Sequence, residues 1–195
     1  EMCIRDRACG VDALTHCIEA YTVQLHQPIT DALALKGISM IAENLEKAYE
    51  NGEDREARRN MMIASTIGGM AFISSNVGAV HAFAETVGAW FDTPHGVANS
   101  LFLPYIMEFN IPACPERFAD IADAMGIERE ESMSDEQYAL KAVEYVKALN
   151  RKLNIPTIKE IKGITEERFE AIAERSANNV LSNDNARKIT KEDYL

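Results

Sequence analysis

The run Thr30-Asp-Ala-Leu-Ala-Leu-Lys-Gly-Ile-Ser-Met-Ile-Ala-Glu-Asn-Leu-Glu-Lys-Ala-Tyr-Glu50 decides the fold class. Ala34, Ile38, Ile41, Leu45 and Ala48 recur in it at alternating spacings of four and three, with charges between them. That period is the apolar stripe of an amphipathic helix, and it cannot be the alternation of a strand. The same signal continues on both sides. Ser134 and Gln137 form an S-x-x-Q capping box ahead of Leu140, Val143, Val146 and Leu149. Thr165 can cap another helix, with Phe169, Ile172 and Ala173 facing inward. Asp54 can open one that runs through Met62, Ile63, Ile67 and Met70, although Gly68 and Gly69 weaken it by about 1 kcal/mol each unless close packing needs them. Strand signals are nearly absent, and there is no repeat, linker or low-complexity tract. The expectation is an all-α, bundle-like domain of roughly eight helices joined by short loops.

Composition narrows the function. The 195 residues suffice for one domain with a real core. A net charge of −11, from 20 basic and 31 acidic residues, argues against a nucleic-acid or anionic-membrane surface, both of which need a basic footprint. No apolar run has the length of a membrane span, and no signal peptide is legible. Cys3, Cys9, Cys17 and Cys114 form no C-x-x-C pair, so they read as reduced thiols of a cytoplasmic protein, with Cys17 in the core. Thr190 and Asp193 form a T-x-x-D cap two residues before the last one. Glu1 to Arg7 carries no helical pattern, and the run Met2-Cys-Ile-Arg-Asp-Arg7 resembles translated sequencing adapter. Residues 1–7 are therefore expected to be a non-native segment, and 8–195 the domain, truncated at both ends.

The candidate chemistry rests on four histidines, His16, His26, His81 and His95. Asp12 and His16 are spaced i, i+4 within Gly10-Val-Asp-Ala-Leu-Thr-His-Cys-Ile-Glu-Ala-Tyr21, one turn apart on one helix face. Such a pair can share a metal ion, but taken alone it is more often a surface pair. His81 lies in the charge-poor run Asn76-Val-Gly-Ala-Val-His-Ala-Phe-Ala-Glu-Thr-Val-Gly-Ala-Trp90, which reads as a buried helix where an unpaired imidazole is costly. His95 sits between Pro94 and Gly96, at a break where a side chain can point into a cleft. His26 reads as a loop residue.

In combination these motifs resemble the iron-containing alcohol dehydrogenases. The resemblance is carried by Gly10 to His16 with Glu19 and Tyr21, by Ser75 to His81, by Asp92-Thr-Pro-His-Gly-Val-Ala-Asn99 and by Leu103-Pro-Tyr-Ile-Met107. It covers residues 8 to 195 and implies the C-terminal helical half of a two-domain enzyme. It also implies that Asp12, His16, His81 and His95 are the metal ligands. One carboxylate and three imidazoles suit Fe²⁺ or Zn²⁺ and leave room for a substrate oxygen. An open metal acts as a Lewis acid on an alcohol or on the matching aldehyde or ketone, and NAD or NADP carries the hydride. The family often has a histidine where this chain has Glu85, four residues after His81. Glu85 is expected either to accept the second ring N–H of His81, to relay a proton, or to pair with a basic side chain of the other domain, the first being preferred. Phe72 is placed by the resemblance in the substrate pocket.

The chain has no G-x-G and no βαβ unit, so the main dinucleotide site is expected in an N-terminal α/β nucleotide-binding domain absent from this sequence. The full-length protein is expected to be a homo-oligomer, and the isolated fragment inactive. Two alternatives stand beside this reading. One is a glycerol dehydrogenase-like or dehydroquinate synthase-like relative. The other is a non-catalytic helical metal-binding module, although the paired E-x-x-H motifs of di-iron helical proteins are missing.

Overall fold

The computed structural model describes residues 4–195, with side chains from residue 7 onward. Among the described residues there are eight α-helices and no strand. They are α1 (Ile4–Thr22), α2 (Pro28–Glu50), α3 (Arg55–Ser75), α4 (Ala79–Phe91), α5 (His95–Asn110), α6 (Pro115–Ala124), α7 (Asp135–Lys152) and α8 (Phe169–Ala177). Short 3₁₀ turns follow α5 and α7 and finish the chain, the last at Glu192–Tyr194. No single helix among the described residues is long and apolar enough to cross a membrane.

Helix α1 is the axis of the domain and packs on α2, α3, α5 and α6. It starts at Ile4, so residues 4–7 are helical although they carry no apolar period; Ile4 to Arg7 contains neither Pro nor Gly to stop the helix. Residues 1–3, Cys3 included, lie outside the described part. In α2 the five residues of the predicted stripe are all buried, together with Thr30, Gly37 and Asn44. Its start is fixed by Pro28 in the first turn and by a hydrogen bond from the Gln27 backbone N–H to Thr30 Oγ1 (3.1 Å). The Ser134–Gln137 capping box opens α7 as expected. Asp54 caps α3 by accepting from the backbone N–H groups of Glu56 and Ala57. Thr165 makes no side-chain cap; a 3₁₀ turn intervenes and α8 begins only at Phe169.

Helix α3 departs from its large-residue pattern. Met62 is 74% exposed and Ile73 79% exposed, with Ile63 and Met70 also at the surface. The buried face consists of Ala57, Ala64, Gly68, Ala71 and Ser75. Small residues let the helix axes approach: a Cβ on Gly68 would lie 3.1 Å from the sulfur of Cys17, whereas one on Gly69 would meet nothing. Cys17 itself is fully buried, as its place on α1 predicted, and burial pushes its thiol pKa up to about 12.

Helix α5 carries Pro104 in its interior. A proline there cannot bond the carbonyl four residues earlier. That carbonyl, of Ser100, instead accepts from Asn150 Nδ2 on α7 at 2.6 Å, so the break is repaired across a helix–helix contact. The segment after α8 returns to the middle of the domain. There Asn185, 1% exposed, exchanges two hydrogen bonds with Asn110 on α5 (3.0 and 2.7 Å) and accepts from the Ala79 backbone N–H (3.3 Å).

Candidate metal centre

Three helices bring the four predicted residues together. Asp12 and His16 lie one turn apart on α1, His81 lies in the first turn of α4, and His95 is the first residue of α5. The close approach of α5 to α1 depends on Gly96. A Cβ there would stand 2.8 Å from the backbone C and O of Ala8. With no Cβ, the start of α5 presses against the α1 backbone, and His95 Nε2 comes within 3.8 Å of Asp12 Oδ1. Donor atoms of Asp12, His81 and His95 all lie within 4.8 Å of one another. His16 joins them through His81, with the two Nε2 atoms 3.2 Å apart.

The hydrogen bonds around the rings define what those nitrogens can do. His16 Nδ1 donates to the backbone carbonyl of Asp12 at 2.9 Å. His81 Nδ1 lies 2.5 Å from Glu19 Oε2. In a neutral imidazole, a proton on Nδ1 leaves Nε2 as a bare lone pair. With both rings neutral and protonated on Nδ1, two such lone pairs face each other. Asn99, one turn beyond His95 on α5, turns its Nδ2 towards the same point: 2.5 Å from Asp12 Oδ1, 3.1 Å from His81 Nε2 and 3.0 Å from His95 Nε2. An amide has two protons and here meets three acceptors. Its own Oδ1 is buried without a partner.

This arrangement fits a cation. Two ligands at ~2.1 Å from a tetrahedral ion lie about 3.4 Å apart, close to the separation of the facing nitrogens. Without a positive charge at that point, the two protons of one amide serve three acceptors, and the Asn99 oxygen stays unpaired. The electrostatics reflect the crowding. Burial, then the charge of His81, depresses the pKa of His16. Burial also disfavours the charged form of His81, but the Glu19 charge and hydrogen bond, with Asp12 and Glu85, outweigh it and raise its pKa.

The remaining candidates fall as follows. Phe72, half-buried near the end of α3, sets its ring at 4.5 Å from that of His16, tilted by 46°, and forms an apolar wall beside the cluster. His26 lies in the loop before α2, where its Nδ1 is 3.5 Å from Asp31 Oδ2. Glu85 does not make the preferred hydrogen bond to His81. It is exposed, and its Oε2 accepts from Asn179 Nδ2 at 2.8 Å. The His81 ring is turned inward to α1, so its Nδ1 meets Glu19, which is 3% exposed. Sequence reasoning gave neither Glu19 nor Asn99 a role. The signal for Glu19 was a lone acid in the apolar stretch Cys17 to Val23, two turns after Asp12 on the same helix.

The C-terminal model of the Fe-containing alcohol dehydrogenase family matches residues 7–195, and the chain belongs to that family. It is 40% identical to the NADPH-dependent butanol dehydrogenase of Clostridium saccharobutylicum, over 94% of this chain and 47% of the relative. It is 42% identical to alcohol dehydrogenase 4 of Saccharomyces cerevisiae, over 96% and 48%. Its fold is similar to the crystal structure of a 1,3-propanediol oxidoreductase, with a TM-score of 0.92, 39% identity, and coverage of 96% of this chain and 49% of that one. The chain spans about half the length of these relatives.

Proposed function

We propose that this chain is the metal-holding part of an NAD(P)-dependent alcohol dehydrogenase, with Asp12, His16, His81 and His95 as ligands of iron, for which the family is named, or of zinc. The observation that carries this reading is the convergence of donor atoms of Asp12, His81 and His95 within 4.8 Å of one another, with His16 Nε2 3.2 Å from His81 Nε2. Asp12 supplies the negative charge that offsets a divalent ion, and the histidines supply neutral nitrogens. When bound, the ion supplies Lewis-acid chemistry that acidifies an alcohol hydroxyl. The protein's part is placement. Side-chain exposure of 48% at His95, against 5% at His81, puts the open side of the cluster towards His95. Substrate approaches from that side, and Phe72 shields the hydrocarbon part of a small alcohol or carbonyl compound. The relatives named for butanol and 1,3-propanediol support substrates of that size.

Nicotinamide is delivered to this face by a nucleotide-binding portion of the kind the longer relatives have room for, and the assembled enzyme is a homo-oligomer of the cytoplasm. Glu85, with its carboxylate exposed, is available as a proton relay or as a partner for that portion. The test has two parts. The 195-residue chain should bind Zn²⁺ or Fe²⁺ in a chelator competition assay, and the His81→Ala variant should lose that binding. The full-length protein should oxidise 1-butanol or 1,3-propanediol with NAD(P)⁺ in a metal-dependent way. Undiminished activity after complete metal removal would overturn the reading.

A further inference from the structure

Glu19 is held by both of its carboxylate oxygens. Oε1 accepts the backbone N–H of Val80 at 2.8 Å, and Oε2 meets His81 Nδ1 at 2.5 Å. Val80 lies in the first turn of α4, whose N-terminal N–H groups have no partner within the helix. The carboxylate therefore caps α4 and grips the next side chain in a single contact. A negative charge is also favoured at that end of the helix dipole. Gly78, the residue before α4, makes room for it: a Cβ there would come within 3.2 Å of Glu19 Oε1.

We propose that Glu19 is a positioning residue that fixes the Nδ1–H tautomer of His81, so that His81 Nε2 always presents its lone pair to the cluster of Asp12, His16 and His95. A carboxylate has only acceptors, so the proton between it and His81 belongs on Nδ1. The backbone N–H of Val80 removes the freedom of Glu19 to rotate away. The inference rests on the metal-centre reading for its purpose, but the tautomer itself can be measured without metal.

The charge-removing change Glu19→Gln is informative because the amide is not symmetric. Its oxygen must face the Val80 N–H, since an NH₂ group there would oppose another donor. Its NH₂ then points at His81 Nδ1 and demands an acceptor. The proton moves to Nε2, into the centre of the cluster. The helix cap is retained while the ring is inverted.

The experiment is ¹⁵N-histidine NMR on the metal-free 195-residue chain at about pH 9, above the usual imidazole range, with His81 assigned by its loss in His81→Gln. The wild-type protein should show His81 as the Nδ1–H tautomer, and Glu19→Gln as the Nε2–H tautomer. Circular dichroism of that variant should remain near wild type. Its Zn²⁺ affinity should fall by roughly 10–100-fold, the range expected when the outer partner of a ligating histidine is changed. Wild-type His81 found as Nε2–H overturns the proposal without any variant. So does Glu19→Gln with an unchanged tautomer or an unchanged affinity. A wild-type chain that takes up no Zn²⁺ overturns the metal reading instead, and the tautomer measurement still decides the role of Glu19.

Discussion

His16 and His81 bring their Nε2 atoms to 3.2 Å, and Asn99 leaves a buried carbonyl oxygen without a partner. On the proposed reading, such groups cost stability in the absence of an ion. Removing one of them should therefore separate stability from function. His16→Leu keeps an apolar contact with Phe72 and ends the confrontation with His81. In chelator-treated protein it is expected to be more stable than wild type by about 0.5–2 kcal/mol, as other function-removing changes are. Urea denaturation in EDTA measures this, and a variant less stable than wild type by 1 kcal/mol or more would contradict it. The same variant should lose metal uptake. At this scale the sequence was readable only through motif. Asp12 and His16 are linked by helical spacing, but no periodicity says that His81 and His95 point at them. Glu19 and Asn99 escaped because a carboxylate and an amide are ordinary on any helix until their neighbours are known.

Among the helices, the glycines give the sharpest contrasts. Gly69 of α3 has open space where a Cβ would stand, whereas Gly68 faces Cys17 and Gly96 of α5 touches the backbone of α1. Gly69→Ala should stabilise the protein by about 0.5–1 kcal/mol, since alanine loses less backbone entropy in a helix. Gly96→Ala should destabilise it by about 1–3 kcal/mol, because the clash is with backbone that cannot rotate aside. It should also weaken metal binding by moving His95. Chemical denaturation of the two variants side by side, with Zn²⁺ titration of the second, checks both signs. The helix carrying Ala34 to Ala48 was legible because one wide apolar stripe faces one core. Helix α3 was legible as a helix opening at Asp54, but its buried face was not, because that face is made of alanine, glycine and serine while Met62, Ile63, Met70 and Ile73 face outward. Hydrophobicity marks where a helix has bulk; it does not mark where two backbones must come close.

For the molecule as a whole, residues far apart in sequence are drawn to one place. Asn185 reaches the centre from the last segment of the chain and bonds α5 through Asn110 and the start of α4 through Ala79. Asn185→Ala leaves both partners unsatisfied in the interior. It should cost about 2–4 kcal/mol, measured by denaturation. Amide hydrogen exchange at Ala79 and Val80 should accelerate more than exchange in α2. The all-α class, the helix number and the family were legible from pattern and motif. This return of the C-terminal segment was not, since the run from Asn178 to Lys188 is polar and reads as surface. Only Ser182 and Asn185 in it are buried, and the burial of Asn185 follows from the need to pair polar backbone and amide groups around the start of α4.

The ligand positions have a thermodynamic consequence of their own. His16 and His81 are 65 residues apart, so an ion shared between them is a cross-link that closes all of α2 and all of α3 into a loop. Closing a loop of that length removes entropy from the unfolded chain on the order of 4 kcal/mol by the polymer model used for disulfides. Because the unfolded chain offers no assembled site, the binding free energy becomes folding free energy. At a free Zn²⁺ concentration of about 100 times Kd the gain is about 2.7 kcal/mol, which for a domain of this size is a rise in Tm of roughly 5–10 °C. Scanning calorimetry with Zn²⁺ and with chelator should show that shift in the wild-type chain and none in His81→Ala. With the proposed ligands, chelation acts as a denaturing stress: the metal is to be held only while the chain is folded, and the fold more tightly for having the metal.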